Sequence, residues 1–341
     1  MTKIFPLLLG TLATLIIAPA CSSEAPELLY KGQPILRATD MHLHTGEWSI
    51  LPPRTKAYLA SRFPFPFSLT PEKFVDSALS ASGILNQLDT AGLERAVLLA
   101  VYAPKSVGIT KNESMIAAIE EAPGRLFGLA SLAVDNWNED ENEELDQLAQ
   151  ALKHPQVIGI KLAHAHQHFA FDDPRFYSIY QLAEELQSPI YLHTGSSPFP
   201  GTLTSPEFTN PAFLEEAIAE FSETTFILGH LGYDFTQQDL GELETCLQLA
   251  KRYPNVFLEQ SAMGSAGADP SGELYAHSFR RIKEEGLIDR LIYGSDGPQY
   301  PGFVASYLSR SLDAMLAADF TSEEVEAVLA TNFNRVFGVS P

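Results

Sequence analysis

Eight short apolar runs recur along this chain, each followed by a longer amphipathic stretch. No other feature restricts the possible folds as strongly. The runs are ILRATDMHL (35–43), RAVLLAVYA (95–103), RLFGLASLAV (125–134), VIGIKL (157–162), SPIYLH (188–193), TFILGH (225–230), NVFLEQS (255–261) and LIYGSD (291–296). Several are nearly continuous in Val, Ile, Leu and Phe, as strands buried on both faces must be. Between them lie helical patterns at 71–92, 113–124, 139–154, 173–187, 210–222, 239–254 and 273–286, with a last helical region over 302–337. Strands alternating with helices at this spacing predict βαβ units, and eight of them predict an α/β fold, a (β/α)8 TIM barrel. Two stretches break the rhythm, 45–70 after the first strand and 194–209 after the fifth, and read as rim insertions beside a site.

The 341 residues suit one such barrel, and 45% hydrophobic against 19% charged residues is the balance of a globular chain with a real core. A formal charge of −21 argues against nucleic acid or an anionic lipid surface as partner. The N-terminus has the plan of an export signal: Lys3, an apolar stretch too short for a comfortable membrane span, then Ala18, Pro19 and Ala20 before Cys21. It resembles a bacterial lipoprotein signal, although Ala18 stands where that motif usually has Leu. The expected layout is a signal peptide over 1–20, lipidation of Cys21, a linker over 21–33 and the barrel over 34–341. The chain would then be exported to the periplasm, touching the membrane only through its lipid anchor. The other cysteine, Cys246, falls in a helical pattern and reads as a small buried hydrophobe. A homodimer is open.

Functional residues of a barrel sit at the C-terminal ends of its strands. Strand one ends in Asp40-Met41-His42-Leu43-His44, and the two-residue period puts His42 and His44 on one face. Strand four ends in Lys161, strand five in His193, strand six in His230 and strand eight in Asp296. A lone strand-end His is more often a satisfied core residue. Four imidazoles, a carboxylate and a lysine on one rim are the donor set of a divalent metal site, and no Cys is near to close it as structural zinc. Three further histidines, His164, His166 and His168, follow Lys161. They read as a rim loop, with His164 kept as a possible substrate contact. Trp48, Arg54 and Arg62 of the first insertion are the weaker substrate-binding candidates, an Arg being suited to clamp a carboxylate. His154 and His277 read as structural.

The segments DMHLH, GIKLA, FAFDDPRFYSIYQLAEELQSPIYLHTG, FILGHLG, NVFLEQS, RLIYGSDGP and LATNFNRVFGV, in this order, resemble the amidohydrolase superfamily. The resemblance covers about residues 36–339. It is closest to the amidohydrolase-related branch, which includes aminocarboxymuconate-semialdehyde decarboxylase-like enzymes. It implies a metal at the C-terminal rim held by His42, His44, His193 and Asp296, with His230 as base and Asp296 also shuttling a proton. The ion would be zinc, or else manganese. A metal lowers the pKa of its water towards about 7, where a neighbouring His can take the proton. In binuclear relatives a carbamylated strand-four Lys bridges two ions; in this branch one ion is commoner, leaving Lys161 to orient Asp296 or a substrate carboxylate. The leading expectation is a metal-dependent hydrolase of an amide, lactone or ester bond in a small molecule. The alternative is a non-oxidative decarboxylase of an aromatic or unsaturated acid. A binding lipoprotein with a decayed site would have lost a ligand, and none is missing.

Overall fold

The computed structural model describes residues 28–63, 65–297 and 300–340. The expected signal peptide and Cys21 lie outside them. Eight parallel strands follow one another round the sheet in chain order: β1 (Thr39–His44), β2 (Arg95–Leu99), β3 (Leu126–Ala130), β4 (Val157–Leu162), β5 (Ile190–His193), β6 (Phe226–Gly229), β7 (Val256–Glu259) and β8 (Leu291–Ile292). The (β/α)8 barrel is therefore present. It closes after β8 has formally ended: Met41 N–H donates to the Tyr293 carbonyl (3.0 Å), Asp296 N–H to His42 (2.9 Å) and His44 N–H to Gly297 (2.6 Å). This closure carries Asp296 to the side of His42 and His44.

The two-residue strand period sorts side chains into two packed layers. Val97, Leu99, Tyr191 and Ile227 belong to one cluster with Met41, Phe127 and Phe333. Their neighbours Ala96, Leu98, Ile190, Leu192, Phe226 and Leu228 belong to the larger cluster shared with the helices. Burial on both sides is why the strands read as continuous apolar runs. No helix among the described residues is long and apolar enough to cross a membrane.

Two local expectations are corrected. The 71–92 pattern is two helices, Pro71–Leu79 and Ala81–Ala91, broken where Ser80 turns extended and its Oγ accepts Gly83 N–H (3.1 Å) to cap the second. The second apolar run leaves the barrel after Leu99. Val101–Ala103 pairs instead with Gly108–Thr110 as an antiparallel hairpin, a third excursion on the site rim. The first insertion carries a helix over Pro53–Arg62.

Candidate metal centre

The barrel brings the strand-end residues to one place. One nitrogen each of His42 and His230 and one oxygen of Asp296 lie within 4.8 Å of one another. Asp296 Oδ1 is 3.0 Å from His42 Nε2 and 2.8 Å from His44 Nε2, so the two histidines of β1 do reach a single point. The His193 ring stands 4.4 Å from that of His230, and its buried Nε2 has no hydrogen-bond partner. Two of these residues hold backbone that non-glycine residues rarely adopt, His230 at φ +62° and Asp296 at φ +64°. Such strain persists only where the surroundings fix it, and it clusters at working sites.

A hydrogen-bond network beneath the cluster assigns the histidine tautomers. Its anchor is Glu259, the last residue of β7 and fully buried. Glu259 Oε2 accepts from the Tyr191 hydroxyl (2.9 Å), the Ser261 hydroxyl (2.9 Å) and His230 N–H (3.2 Å), while Oε1 accepts Ser261 N–H (3.1 Å). Both hydroxyls thus spend their protons on the carboxylate. Their oxygens then accept from His42 Nδ1, 3.0 Å from Tyr191 and 2.9 Å from Ser261. His42 therefore carries its proton on Nδ1, and its Nε2 presents a lone pair. His230 Nδ1 is 3.2 Å from the Ser261 carbonyl, which only accepts, so its Nε2 also holds a lone pair, 3.4 Å from the Tyr191 hydroxyl. Glycines make room for this network. A Cβ on Gly229 would stand 1.8 Å from the Tyr191 hydroxyl, and one on Gly294 would stand 2.1 Å from Glu259 Oε1.

The consequence is that a lone pair of His42 faces a carboxylate oxygen at 3.0 Å with no proton of its own to share. A cation makes that approach favourable: a metal ion between the two groups does so, as would a second proton on His42, whose pKa Asp296 raises against its burial. Neighbouring ligands of one ion at about 2.0–2.1 Å stand about 3.0–3.4 Å apart, close to the 3.0 and 2.8 Å that separate Asp296 Oδ1 from His42 and His44. Imidazole nitrogens whose other ring N–H is tied to groups anchored on a buried carboxylate are what divalent metals select. The residues present fit such an ion.

Electrostatics agree. Burial opposes ionisation of Asp296, but His42 and His44 outweigh it and hold the carboxyl well below its usual range. Burial lowers His230 to about 4 and holds His193 far below the ordinary histidine value, keeping both neutral. Burial pulls the Lys161 ammonium down to about 7, against the pull of Asp296 and Glu259. Its Nζ lies 4.0 Å over the Tyr191 ring.

The histidine run corrects a sequence expectation. Residues His164–Gln167 form one turn of helix, not a loop. At about 100° per residue, positions two apart face opposite ways. His164 is wholly buried between Phe169 and Phe171 (ring separations 4.0 and 4.2 Å), its Nε2 3.3 Å from the Tyr180 hydroxyl. It is a core residue rather than a substrate contact. His166 turns the other way and meets the edge of His193 at 5.0 Å. His168, at φ +68°, points to the Gly201 carbonyl (2.7 Å). Arg54 and Arg62 are exposed, Arg62 lying over the Tyr58 ring at 5.2 Å, and Trp48 is half-buried with its backbone N–H on Asp76. None of these three makes a hydrogen bond, ion pair or ring contact with the cluster.

Sequence reasoning missed Glu259, Tyr191 and Ser261, and read His166 only as part of a rim loop. Glu259 had the same signal as Asp296, a carboxylate closing an apolar run. Tyr191 had none, being one more large residue inside IYLH.

The amidohydrolase family profile matches residues 39–339. The chain belongs to the amidohydrolase family. No curated protein matches it by sequence. Among solved structures it is similar to an uncharacterized TIM-barrel protein from Bordetella bronchiseptica (18% identity, TM-score 0.67, covering 89% of this chain and 99% of that one). It is also similar to a probable 2-pyrone-4,6-dicarboxylic acid hydrolase from Acinetobacter baumannii (18%, 0.58, 89% and 100%). A third likeness is to 2,6-dihydroxybenzoate decarboxylase from Rhizobium (17%, 0.58, 88% and 98%). At these identities the likeness is one of fold. This amidohydrolase thus shares its barrel with both hydrolases and decarboxylases.

Proposed function

We propose that this amidohydrolase is a metal-dependent hydrolase of an amide, lactone or ester bond in a small molecule. The observation that carries the reading is the neutral His230, whose Nδ1–H is tied to the Ser261 carbonyl so that Nε2 holds a lone pair beside Asp296 and His42, 3.4 Å from the Tyr191 hydroxyl. His42, His44, His193 and Asp296 would hold one divalent ion, zinc or else manganese. Such an ion lowers the pKa of a coordinated water and polarises a carboxyl-type carbonyl. His230 Nε2 takes the proton of the attacking water. Asp296, whose side chain is 19% exposed and which lies beside His230, would relay the proton that His230 has taken to the leaving atom.

Lys161 is almost wholly buried, and no carboxylate lies within 4.0 Å of its Nζ among the described residues. A buried ammonium without a counter-ion suits a substrate carboxylate. Its engagement by the Tyr191 ring favours this role over a carbamate bridge between two ions. The same unpaired ammonium, with Phe235 edge-on to His230 at 5.8 Å, supports decarboxylation of an aromatic acid as the second reading.

Purified, metal-loaded protein assayed on lactones, esters and aromatic acids, including 2-pyrone-4,6-dicarboxylate and 2,6-dihydroxybenzoate, separates the two. Carbon dioxide release without a hydrolytic product overturns the first. Metal analysis of protein prepared without chelator gives the ion and its number: one equivalent supports the mononuclear site, and two make Lys161 a carbamate bridge. We further propose export and lipidation of Cys21, supported by the residue pattern of 1–21; the mass of the mature N-terminal peptide tests it.

A further inference from the structure

We propose that His166, held by Ser106, is a specificity-determining residue that hydrogen-bonds a hydroxyl substituent of the substrate through Nε2. This rests on the reading that the rim cluster binds substrate, but not on which reaction follows. The His166 ring is buried against His193 (5.0 Å) and near Phe199 (6.2 Å). Its Nδ1 is 3.0 Å from the buried Ser106 hydroxyl, in the hairpin after β2. The Ser106 carbonyl in turn accepts from Thr55 Oγ1 on the helix of the first insertion. Excursions from β1, β2 and β4 therefore converge to fix one imidazole.

None of the three excursions carries a residue assigned to the ion, although the His166 edge meets His193. The His166 Nε2 has no hydrogen-bond partner among the described residues. The cluster around it supplies Lys161, His230, Asp296 and His44. A ring locked at one nitrogen, with the other unpartnered beside the rim cluster, is pre-organised for a ligand atom. If Ser106 donates to Nδ1, Nε2 carries a proton and donates; if Ser106 accepts, Nε2 accepts. A hydroxyl both donates and accepts, so it is matched under either tautomer.

The test is calorimetric binding of benzoate and of 2-, 3- and 4-hydroxybenzoate to the purified chain, with metal content measured on the same samples. Benzoate supplies the carboxylate for Lys161, and the ring positions scan for the hydroxyl. The wild type is expected to bind one hydroxybenzoate about tenfold more tightly than benzoate. In His166→Phe, which keeps a ring against His193, that preference should shrink to within twofold with metal content unchanged. Ser106→Ala removes one oxygen and should lose several-fold of the preference, so it serves if the first variant does not fold. Equal affinity for all four acids, no binding of any, or a preference that survives His166→Phe overturns the proposal. Loss of metal in His166→Phe also overturns it, because His166 would then be supporting the ion. A wild type that shows the preference but holds no metal keeps His166 in this role and removes the metal-dependent reading instead.

Discussion

Replacing Glu259 with Gln should weaken metal binding 10- to 100-fold without unfolding the barrel. Gln has the shape of Glu but one acceptor oxygen and no charge. If its oxygen takes the place of Oε2, its NH2 confronts Ser261 N–H, which stands 3.1 Å from Oε1. If it is flipped, the NH2 confronts His230 N–H, 3.2 Å from Oε2, and competes for the Tyr191 and Ser261 oxygens that hold His42 Nδ1. Either way one buried N–H loses its acceptor, at a cost of about 1–3 kcal/mol. The negative charge 3.6 Å from His42 Nδ1 also disappears, and with it the polarisation that makes Nε2 a strong donor to a cation. Losing a partner of this kind typically costs 10- to 100-fold in affinity, about 1.4–2.7 kcal/mol. Competition against a chromophoric zinc chelator measures the constant, and circular dichroism checks the fold. A dissociation constant within threefold of wild type refutes the claim that Glu259 sets the His42 tautomer for a metal.

Three other outcomes follow from the same geometry. Stripping the ion should lower the melting temperature by several degrees, since a ligand at 100 times its Kd adds about 2.7 kcal/mol to the folded state; an identical melting curve with and without chelator refutes a resident metal. Because burial brings Lys161 to about 7, its ammonium is present below that pH and lost above it. Benzoate affinity should therefore fall as pH rises through about 7 and become pH-independent in Lys161→Met; a flat wild-type profile contradicts the assignment. Burial holds His164 far below its unfolded value of 6.5, so the folded state binds fewer protons than the unfolded one. Its contribution is fully present above pH 6.5 and erodes below it by about 1.4 kcal/mol per unit, and His164→Phe should flatten that slope in urea unfolding at pH 7 and 5 while sparing turnover. A large loss of activity in His164→Phe would return it to the substrate site.

The sequence by itself determined the architecture. Burial on both faces writes an apolar run for each strand, and amphipathic stretches write the helices between them, so eight units and their strand-end His42, His44, Lys161, His193, His230 and Asp296 were legible locally. The family resemblance added which of them to join to one ion. Tertiary structure decided which groups actually meet. Whether His164 or His166 reaches the cluster depends on one turn of helix too short to leave a periodic signal, and that turn sends them to opposite sides. Glu259, Tyr191 and Ser261 act together only because β5 and β7 each pair with β6 in a register that Gly229 keeps open. Asp296 reaches the β1 histidines because the barrel closes through backbone bonds beyond a two-residue strand. Periodicity reports which face of an element is buried. Which side chains share a point depends on the register and turns of segments hundreds of residues apart, and the sequence carries no local record of those.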